Sequence, residues 1–594
     1  MSDIERAVAF LLDETINSNP DEHHHHGQHQ RIRNHLEHLE TGTQIQLLRE
    51  LLCVRQPDPP LPEELLEGID LVLQQQRGHR LLTDAASLAP TATIPREGKH
   101  DIRLFLWQGD ITTLSNVTAI TNAANSQMLG CFQPSHRCID NVIHSWAGPR
   151  LREECSKHMD SRGQDLEVGV AILTRGYCLP APFVIHTVGP QLRRGASPTE
   201  TDREQLASCY ASVLETAASI TLSGGERKAV ALCGISTGLF AFPAREAAGI
   251  AVKAVSDWFR SHPDSSLTDV IFNTFTDADQ TLYEELLSAP PKPWILQAST
   301  NPIAPVLQCD ALAQVRQWLE SADYVLVSAG AGLSAATGLD YTSTSLFSEH
   351  FPAFRKYGLT TLYSVFGFSS WPSEQDRWGY YFTHLKMVRD WPLSPLYQRL
   401  IQWLGKFGPN AFVQTSNADG FFLKHGWPEE NLFTPQGRYS VFQCMANCRP
   451  DATFPSAPFL EAGLPHLHPV TQRLEDPEKV PLCRFCGGKM FICVRAASWF
   501  NETPFVDGQK RWKEFRRRAL AEGKNVVILE LGVGVSTPGV LRWPNERLVS
   551  QGDGKVKLIR IGLGTEVAVP WELESQGLAT SIDGDILSVM TELF

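Results

Sequence analysis

Apolar residues along this chain change their spacing twice. Over residues 1–95 they recur at helical intervals. Ile45, Leu47, Leu48, Leu51 and Leu52 share one helical face, and Leu65, Leu66, Ile69, Leu71 and Leu73 suggest a second amphipathic helix. Pro57, Pro59, Pro60 and Pro62 break the chain between them. The run His23 to His26 lies among Asp21, Glu22 and Gln28 and reads as a solvated loop rather than a metal site. From about residue 100 the pattern becomes short apolar runs alternating with helical segments. Strands are expected at 102–107, 117–121, 183–187, 229–233 and 270–273, which predicts a mostly parallel sheet covered by helices. The Pro290-Pro291-Lys292-Pro293 stretch closes that unit as a linker. A second α/β unit starts near 310, with strands expected at 324–328, 411–415 and 526–530. The aromatic stretch 345–400 and the cysteine-bearing stretch 440–495 read as insertions in a doubly wound sheet.

Composition mainly excludes. With 42% hydrophobic and 20% charged residues among 594, the chain has ordinary globular make-up. Its 53 Lys and Arg against 66 Asp and Glu leave a formal charge of -13, so no basic excess exists to track a nucleic-acid backbone. No apolar run is long enough to span a membrane. Early acidic residues and a short apolar segment argue against a signal or transit peptide, so a reducing compartment is expected: the cytoplasm, with mitochondria left open. In such a compartment 13 cysteines point to metal rather than to a disulfide framework.

Two cysteine clusters carry that expectation. Cys444-x3-Cys448 is followed after 34 residues by Cys483-x2-Cys486, a spacing that suits a closed, structural four-thiolate zinc site. Cys131-x4-His136-x-Cys138 offers three ligands within eight residues and leaves a fourth position open, the catalytic arrangement; a buried cysteine pair with a chance histidine is the competing reading. Two glycine-bearing loops follow apolar strands. Ser328-Ala-Gly330-Ala-Gly332-Leu-Ser334 through Gly338 could let backbone N–H groups approach a pyrophosphate. Gly234-Ile-Ser236-Thr-Gly238-Leu-Phe240 is a second candidate anion loop, with an ordinary strand-to-helix turn equally open.

These motifs resemble two known families. Residues 96–290 resemble a macrodomain, the ADP-ribose-binding α/β/α sandwich: Gly109-Asp110-Ile111-Thr112 matches its adenine-side motif, Asn122-Ala-Ala-Asn125 its ribose-side motif, and Ser236-Thr237-Gly238-Leu239-Phe240 its diphosphate loop. Gly130-Cys131-Phe132 with His136 and Cys138-Ile139-Asp140-Asn141 resembles the zinc-containing subgroup, which hydrolyses ADP-ribosyl linkages and carries a helical N-terminal extension, here residues 1–95. After a linker at 291–304, residues 305–594 resemble a sirtuin, a Rossmann-like domain with a zinc ribbon at about 440–495. Gly330-Ala331-Gly332-Leu333-Ser334 matches the NAD-binding motif, Gln414-Thr415-Ser416-Asn417-Ala418-Asp419-Gly420 the catalytic signature, and Gly532-Val533-Gly534-Val535-Ser536 a cofactor-lining stretch.

Two departures narrow the second resemblance. Where deacylating sirtuins place a histidine, this chain reads Thr434-Pro435-Gln436-Gly437, and an amide cannot act as a base. The stretch after the glycine loop reads Leu339-Asp340-Tyr341-Thr342 and lacks the family's arginine. Both features resemble the class M sirtuins, which transfer ADP-ribose from NAD to a lipoylated carrier protein. The resemblance implies NAD contacts from Ala329 to Ser334, from Gly338 to Tyr341, at Gln414 and Ser416, and from Gly532 to Gly534. It implies that Asn417, Asp419 and Gln436 act at the nicotinamide ribose. On the macrodomain side it implies ADP-ribose contacts from Asp110, Ile111, Asn125, Cys138, Ile139, Asp140 and Ser236 to Phe240, with one zinc on Cys131, His136 and Cys138 and a second on the four-cysteine set. Asp140 is a candidate base or, equally, a first-turn helix acid. The expected protein is a bifunctional enzyme that attaches and removes ADP-ribose on a protein, with no nucleic-acid or membrane partner. An NAD-dependent deacylase fused to a macrodomain that only reads ADP-ribose stays open, as does an inactive scaffold.

Overall fold

The computed structural model describes residues 2–18, 23–222, 227–288, 296–297 and 305–594. Four helices open the chain: Asp3–Ser18, His23–Asn34, Thr41–Val54 and Glu63–Gly78. The prolines act as expected, with one helix ending at Val54 and the next starting at Glu63. Three readings need correction. His23 to His26 begin a helix rather than a loop, while their side chains lie outside the described residues. Leu71 is 60% exposed, and Val72 takes the buried place, because helical rotation carries Leu71 off the Leu66–Ile69–Leu73 stripe. Residues 1–95 are not all helical: Leu82–Asp84 and Ala92–Ile94 are short strands, held by non-local pairing that local spacing does not show.

An eight-stranded sheet forms the first core. Its order is Leu296–Gln297, Ala92–Ile94, Ile102–Gln108, Asp269–Thr274, Ala229–Leu232, Ala119–Ala123, Phe183–Thr187, Ala171–Arg175. The inner pairings are parallel, and antiparallel strands close both edges. Four of the five expected strands appear nearly in place; the run expected at 117–121 pairs as Ala119–Ala123. The edge strands are short and half-polar, so their apolar signal is weak. Helices cover the sheet, and the two central strands, Asp269–Thr274 and Ala229–Leu232, are buried along their whole length, as a two-sided layer requires.

The chain forms two compact units, Met1–Cys309 and Asp310–Phe594. Of the stretch expected as a linker, only residues 296–297 are described, and they pair with Ala92–Ile94. Leu307–Gln308 pairs with Leu82–Asp84, so the first unit reaches past residue 304. The second unit is built on a six-stranded, all-parallel sheet. Its order is Leu432–Phe433, Ala411–Thr415, Tyr324–Ala329, Val526–Leu531, Val556–Gly562, Ala579–Asp583. A separate antiparallel sheet of Gly437–Cys444, Thr453–Pro455 and Met490–Val494 carries the four-cysteine set. The helix Glu374–Asp390 packs on it, with Trp378 5.0 Å from Phe442 and Tyr381 5.0 Å from Phe491 between ring centroids.

Candidate functional sites

In the first unit the candidate residues gather where the parallel strands end at their C-termini, the usual ligand edge of such sheets. Asp110 follows the Ile102–Gln108 strand and caps the turn Ile111–Thr113. Its Oδ1 accepts from the Thr112 N–H at 2.9 Å and the Thr112 hydroxyl at 2.7 Å. Its Oδ2 accepts from Arg80 Nη2 at 2.8 Å. Ile111 is buried beside it.

Asn122 ends up buried on the Ala119–Ala123 strand, and Asn125 lies just beyond it. Both amides converge on Asp140. Asn122 Nδ2 donates to Oδ1 at 2.8 Å, and Asn125 Nδ2 reaches Oδ2 at 3.5 Å while donating to the Gly130 carbonyl at 3.0 Å. Asp140 sits in the first turn of the helix Ile139–Ala147 and is buried; burial pushes its carboxyl up to about 6, against the pull of Asn122 and Arg152. Behind it lie His144, Cys155 and His186, all buried. Asn122 Nδ2 also lies 3.1 Å from His186 Nδ1, so that nitrogen accepts and the ring proton sits on Nε2, 2.9 Å from the Thr174 hydroxyl. Burial holds the His186 ring neutral, lowering it to about 3.

The loop before this helix brings Cys131, His136 and Cys138 together, with donor atoms within 4.8 Å of one another. Cys131 Sγ lies 3.5 Å from His136 Nδ1, close to the ~3.6 Å that zinc–sulfur and zinc–nitrogen bonds subtend at a tetrahedral ion. Asn141 pins the loop by donating to the Gln133 and His136 carbonyls at 3.0 and 2.8 Å. Cys138 also caps the helix, its Sγ accepting from the Asn141 N–H at 3.4 Å.

The Ser236–Phe240 loop is held open by its own backbone. Ser236 adopts φ 63°, left-handed and uncommon for serine, and its buried Oγ has no hydrogen-bond partner. Phe242 N–H donates to the Ser236 carbonyl at 3.0 Å, and Leu192 N–H to that of Phe240 at 2.8 Å. Thr237 is half-buried, and Gly238 and Leu239 are exposed. Two residues here were not singled out from sequence. Phe275, 74% exposed, follows Thr274, whose carbonyl accepts from Gly109 N–H at 2.9 Å, so the chain passes Asp110 at this residue. Arg80 is the other. The pairing of Gln108 with Thr274 is what places Phe275, and no spacing along the chain reveals it.

In the second unit, register alone assembles the site. Ala329 lies opposite both Thr415 and Leu531, so the loops 330–338, 416–420 and 532–534 leave the sheet at one edge. Asn417 Nδ2 donates to the Gly330 carbonyl at 2.8 Å and to Ser334 Oγ at 3.0 Å. Ser334 Oγ donates to Asp419 Oδ2 at 2.5 Å, and Phe421 N–H to Asp419 Oδ1 at 2.9 Å. Burial raises the Asp419 carboxyl, and the Ser334 hydrogen bond opposes it. Tyr439 N–H donates to the Ala418 carbonyl at 2.9 Å, which lays the stretch after Gln436 along this loop. Gln436 itself is half-buried, its carbonyl accepting from Arg495 N–H at 3.0 Å.

The remaining predicted NAD contacts divide. Ser416 N–H bonds the Ala329 carbonyl at 3.0 Å, and Asp340 accepts from Thr342 N–H at 2.8 Å. Tyr341 donates to the Tyr439 hydroxyl at 3.1 Å. The side chains of Leu333 and Leu339 are wholly buried, leaving only their backbones for a ligand. Gln414 is buried in its strand with Oε1 unpartnered. Gly338 and Gly534 are exposed, and Val533 is buried.

The four-cysteine set closes as spaced. Cys444 and Cys486 sulfurs are 3.6 Å apart, and those of Cys448 and Cys483 are 3.7 Å apart. A tetrahedral ion with metal–sulfur bonds near 2.3 Å would set about 3.8 Å, so these four could hold one ion.

The cleft of the first unit defines its class. Residues 121–251 match the family model described as Macro domain. The relatives are more specific. A Fusarium oxysporum f. sp. cubense protein named probable bifunctional ADP-ribose hydrolase/ADP-ribosyltransferase is 58% identical over 559 residues, 94% of this chain and 92% of its own. This chain belongs to that family. A Staphylococcus aureus protein named protein-ADP-ribose hydrolase is 44% identical over 243 residues, 41% of this chain and 84% of its own. A solved Oceanobacillus iheyensis macrodomain with ADP aligns at 30% identity over 33% of this chain and 96% of its own, with a TM-score of 0.28.

Proposed function

We propose that this chain is a bifunctional ADP-ribosylation enzyme whose second unit transfers ADP-ribose from NAD to a protein and whose first unit hydrolyses that linkage. The observation that carries this reading is the contrast between the two sites. One presents a buried carboxylate, Asp140, gripped by two asparagine amides. The other presents a hydrogen-bonded Asn417–Ser334–Asp419 chain, with the stretch that follows Gln436 joined to the same loop by Tyr439 N–H and the Ala418 carbonyl.

In the transferase site the 330–338 loop receives the pyrophosphate of NAD. Asp419 and Asn417 orient the nicotinamide ribose, and Gln436 hydrogen-bonds without removing a proton. The glycosidic bond then breaks with oxocarbenium character, nicotinamide leaves with the bonding pair, and an acceptor side chain bonds the anomeric carbon as it gives up its proton to solvent. A lipoylated carrier protein is the proposed acceptor, as the likeness to class M sirtuins suggests. In the hydrolase site Asp110 and Ile111 hold the adenine end, Ser236 to Phe240 the diphosphate, and Asn125 the distal ribose, with Asp140 and Ile139 at the scissile linkage. Zinc on Cys131, His136 and Cys138 would supply Lewis acidity there. A second zinc on Cys444, Cys448, Cys483 and Cys486 would be structural.

The test uses the full chain with NAD and a lipoylated carrier, read by intact-protein mass spectrometry. Asn417→Ala should cut labelling at least 100-fold, and Asp140→Ala should leave the label in place. NAD-dependent deacylation of acyl-peptides with no protein labelled would overturn the transferase reading. Full delabelling by Asp140→Ala would overturn the hydrolase reading.

A further inference from the structure

The helical extension has no part in the chemistry above, yet one of its residues reaches the cleft. Arg80 lies between the helix Glu63–Gly78 and the strand Leu82–Asp84. Its side chain is only 7% exposed. Nη2 donates to Asp110 Oδ2 at 2.8 Å, and Nη1 to the Thr112 hydroxyl at 3.1 Å. The guanidinium carbon sits 3.8 Å from the Trp146 ring centroid, and that of Arg49 sits 3.9 Å from the same centroid. Two guanidiniums cannot share one face at that range, so the indole lies between them. Arg80 thus ties the extension to the 110–113 turn and to the helix Ile139–Ala147 that carries Asp140.

The consequence falls on the Asp110 carboxylate. Oδ1 is engaged twice by Thr112. Arg80 fixes Oδ2 in place and leaves it one acceptor direction. A carboxylate pinned this way accepts from an exocyclic amino group and repels a carbonyl oxygen.

We infer that Arg80 of the N-terminal extension is a positioning residue that sets purine specificity in this cleft, holding Asp110 so that it selects a 6-amino over a 6-oxo purine. The inference rests on the ADP-ribose reading of the cleft. A site built around one hydrogen bond discriminates strongly only while its partner group is held, because the wrong ligand then leaves buried polar groups unpaired.

The experiment measures affinity of the full chain for ADP-ribose and for its hypoxanthine analogue by calorimetry. The unaltered protein should favour ADP-ribose at least tenfold. Arg80→Met should weaken ADP-ribose about tenfold and barely change the analogue, so the preference collapses. In hydrolysis the loss should appear in KM more than in kcat. Arg80→Lys, which keeps the charge, should recover part of the preference and serves the same comparison if Arg80→Met does not fold. In an Asp110→Ala background Arg80→Met should add nothing. An intact preference in Arg80→Met, an equal loss for both purines, or an additive loss in the Asp110→Ala background would overturn the inference. Failure of the unaltered protein to bind ADP-ribose would instead overturn the reading of the cleft, and the inference with it.

Discussion

Glycines show how a motif residue is decided by its neighbours. Gly330 and Gly332 lie in the loop read as letting backbone approach a pyrophosphate, and Gly532 in the stretch read as lining the cofactor. In the structure they first approach one another. A Cβ on Gly330 would lie 2.4 Å from the Gly532 carbonyl oxygen, and one on Gly332 would lie 2.7 Å from the Gly532 Cα. Gly532 itself has φ 60°, and its Cβ would meet the Leu333 nitrogen at 2.4 Å. Two loops from neighbouring strands therefore pack backbone to backbone, and no side chain fits between them. Gly532→Ala carries about 1–2 kcal/mol of left-handed strain plus that overlap. It should lower the melting temperature of the second unit and raise the KM for NAD at least tenfold, with ADP-ribose affinity unchanged in calorimetry. An NAD KM within twofold of the unaltered protein would refute this account of the glycines.

Among the elements, the small antiparallel sheet does more than hold cysteines. Its strand Gly437–Cys444 begins one residue after Gln436 and ends on a member of the set. Gly437 pairs with Val494, and a Cβ there would lie 2.0 Å from the Cys493 carbonyl oxygen. The position of Gln436 thus depends on a small three-stranded sheet that packs Phe442 and Phe491 against the helix Glu374–Asp390 and gathers four sulfurs at its far end. Cys483→Ser should remove one metal equivalent per chain by elemental analysis and cut NAD-dependent labelling more than tenfold, while delabelling persists. Retained labelling after loss of the metal would show the sheet to be self-sufficient. The spacing of the four cysteines was legible because short thiolate pairs close on one ion. The strands around them were not, since Thr453–Pro455 has three residues and a proline.

At the scale of the whole molecule, each unit has its own apolar core and buries neutral histidines. In the second unit His384 packs among Tyr380, Tyr439 and Phe351, with Nδ1 3.2 Å from the Tyr380 hydroxyl and Nε2 unpartnered. Burial lowers it to about 3 from an ordinary 6.5. The unfolded chain therefore binds a proton below pH 6.5 that the folded chain refuses. The stability tied to this neutral ring is full above pH 6.5 and drains as pH falls toward 3, by about 1.4 kcal/mol per unit at most. Melting curves between pH 7.5 and 5 should show the second unit losing stability, and His384→Phe should shrink that loss. An unchanged pH dependence in His384→Phe would sink this assignment.

Much of this protein followed from the order of its residues. Buried parallel strands are continuous apolar runs, so the cores of both sheets were legible, as were the proline break after Val54 and both cysteine clusters. These signals are local, because side-chain periodicity and ligand spacing act within a few residues. Tertiary contact decided the rest. It made strands of Leu82–Asp84 and Ala92–Ile94, led the chain past Asp110 at Phe275, and brought Asn122 onto Asp140 from 18 residues away. It also carried Arg80 to a carboxylate 30 residues along the chain. An isolated arginine after a helix has no periodicity to betray it, and its role exists only once the fold has brought it to the half-buried carboxylate it pairs with.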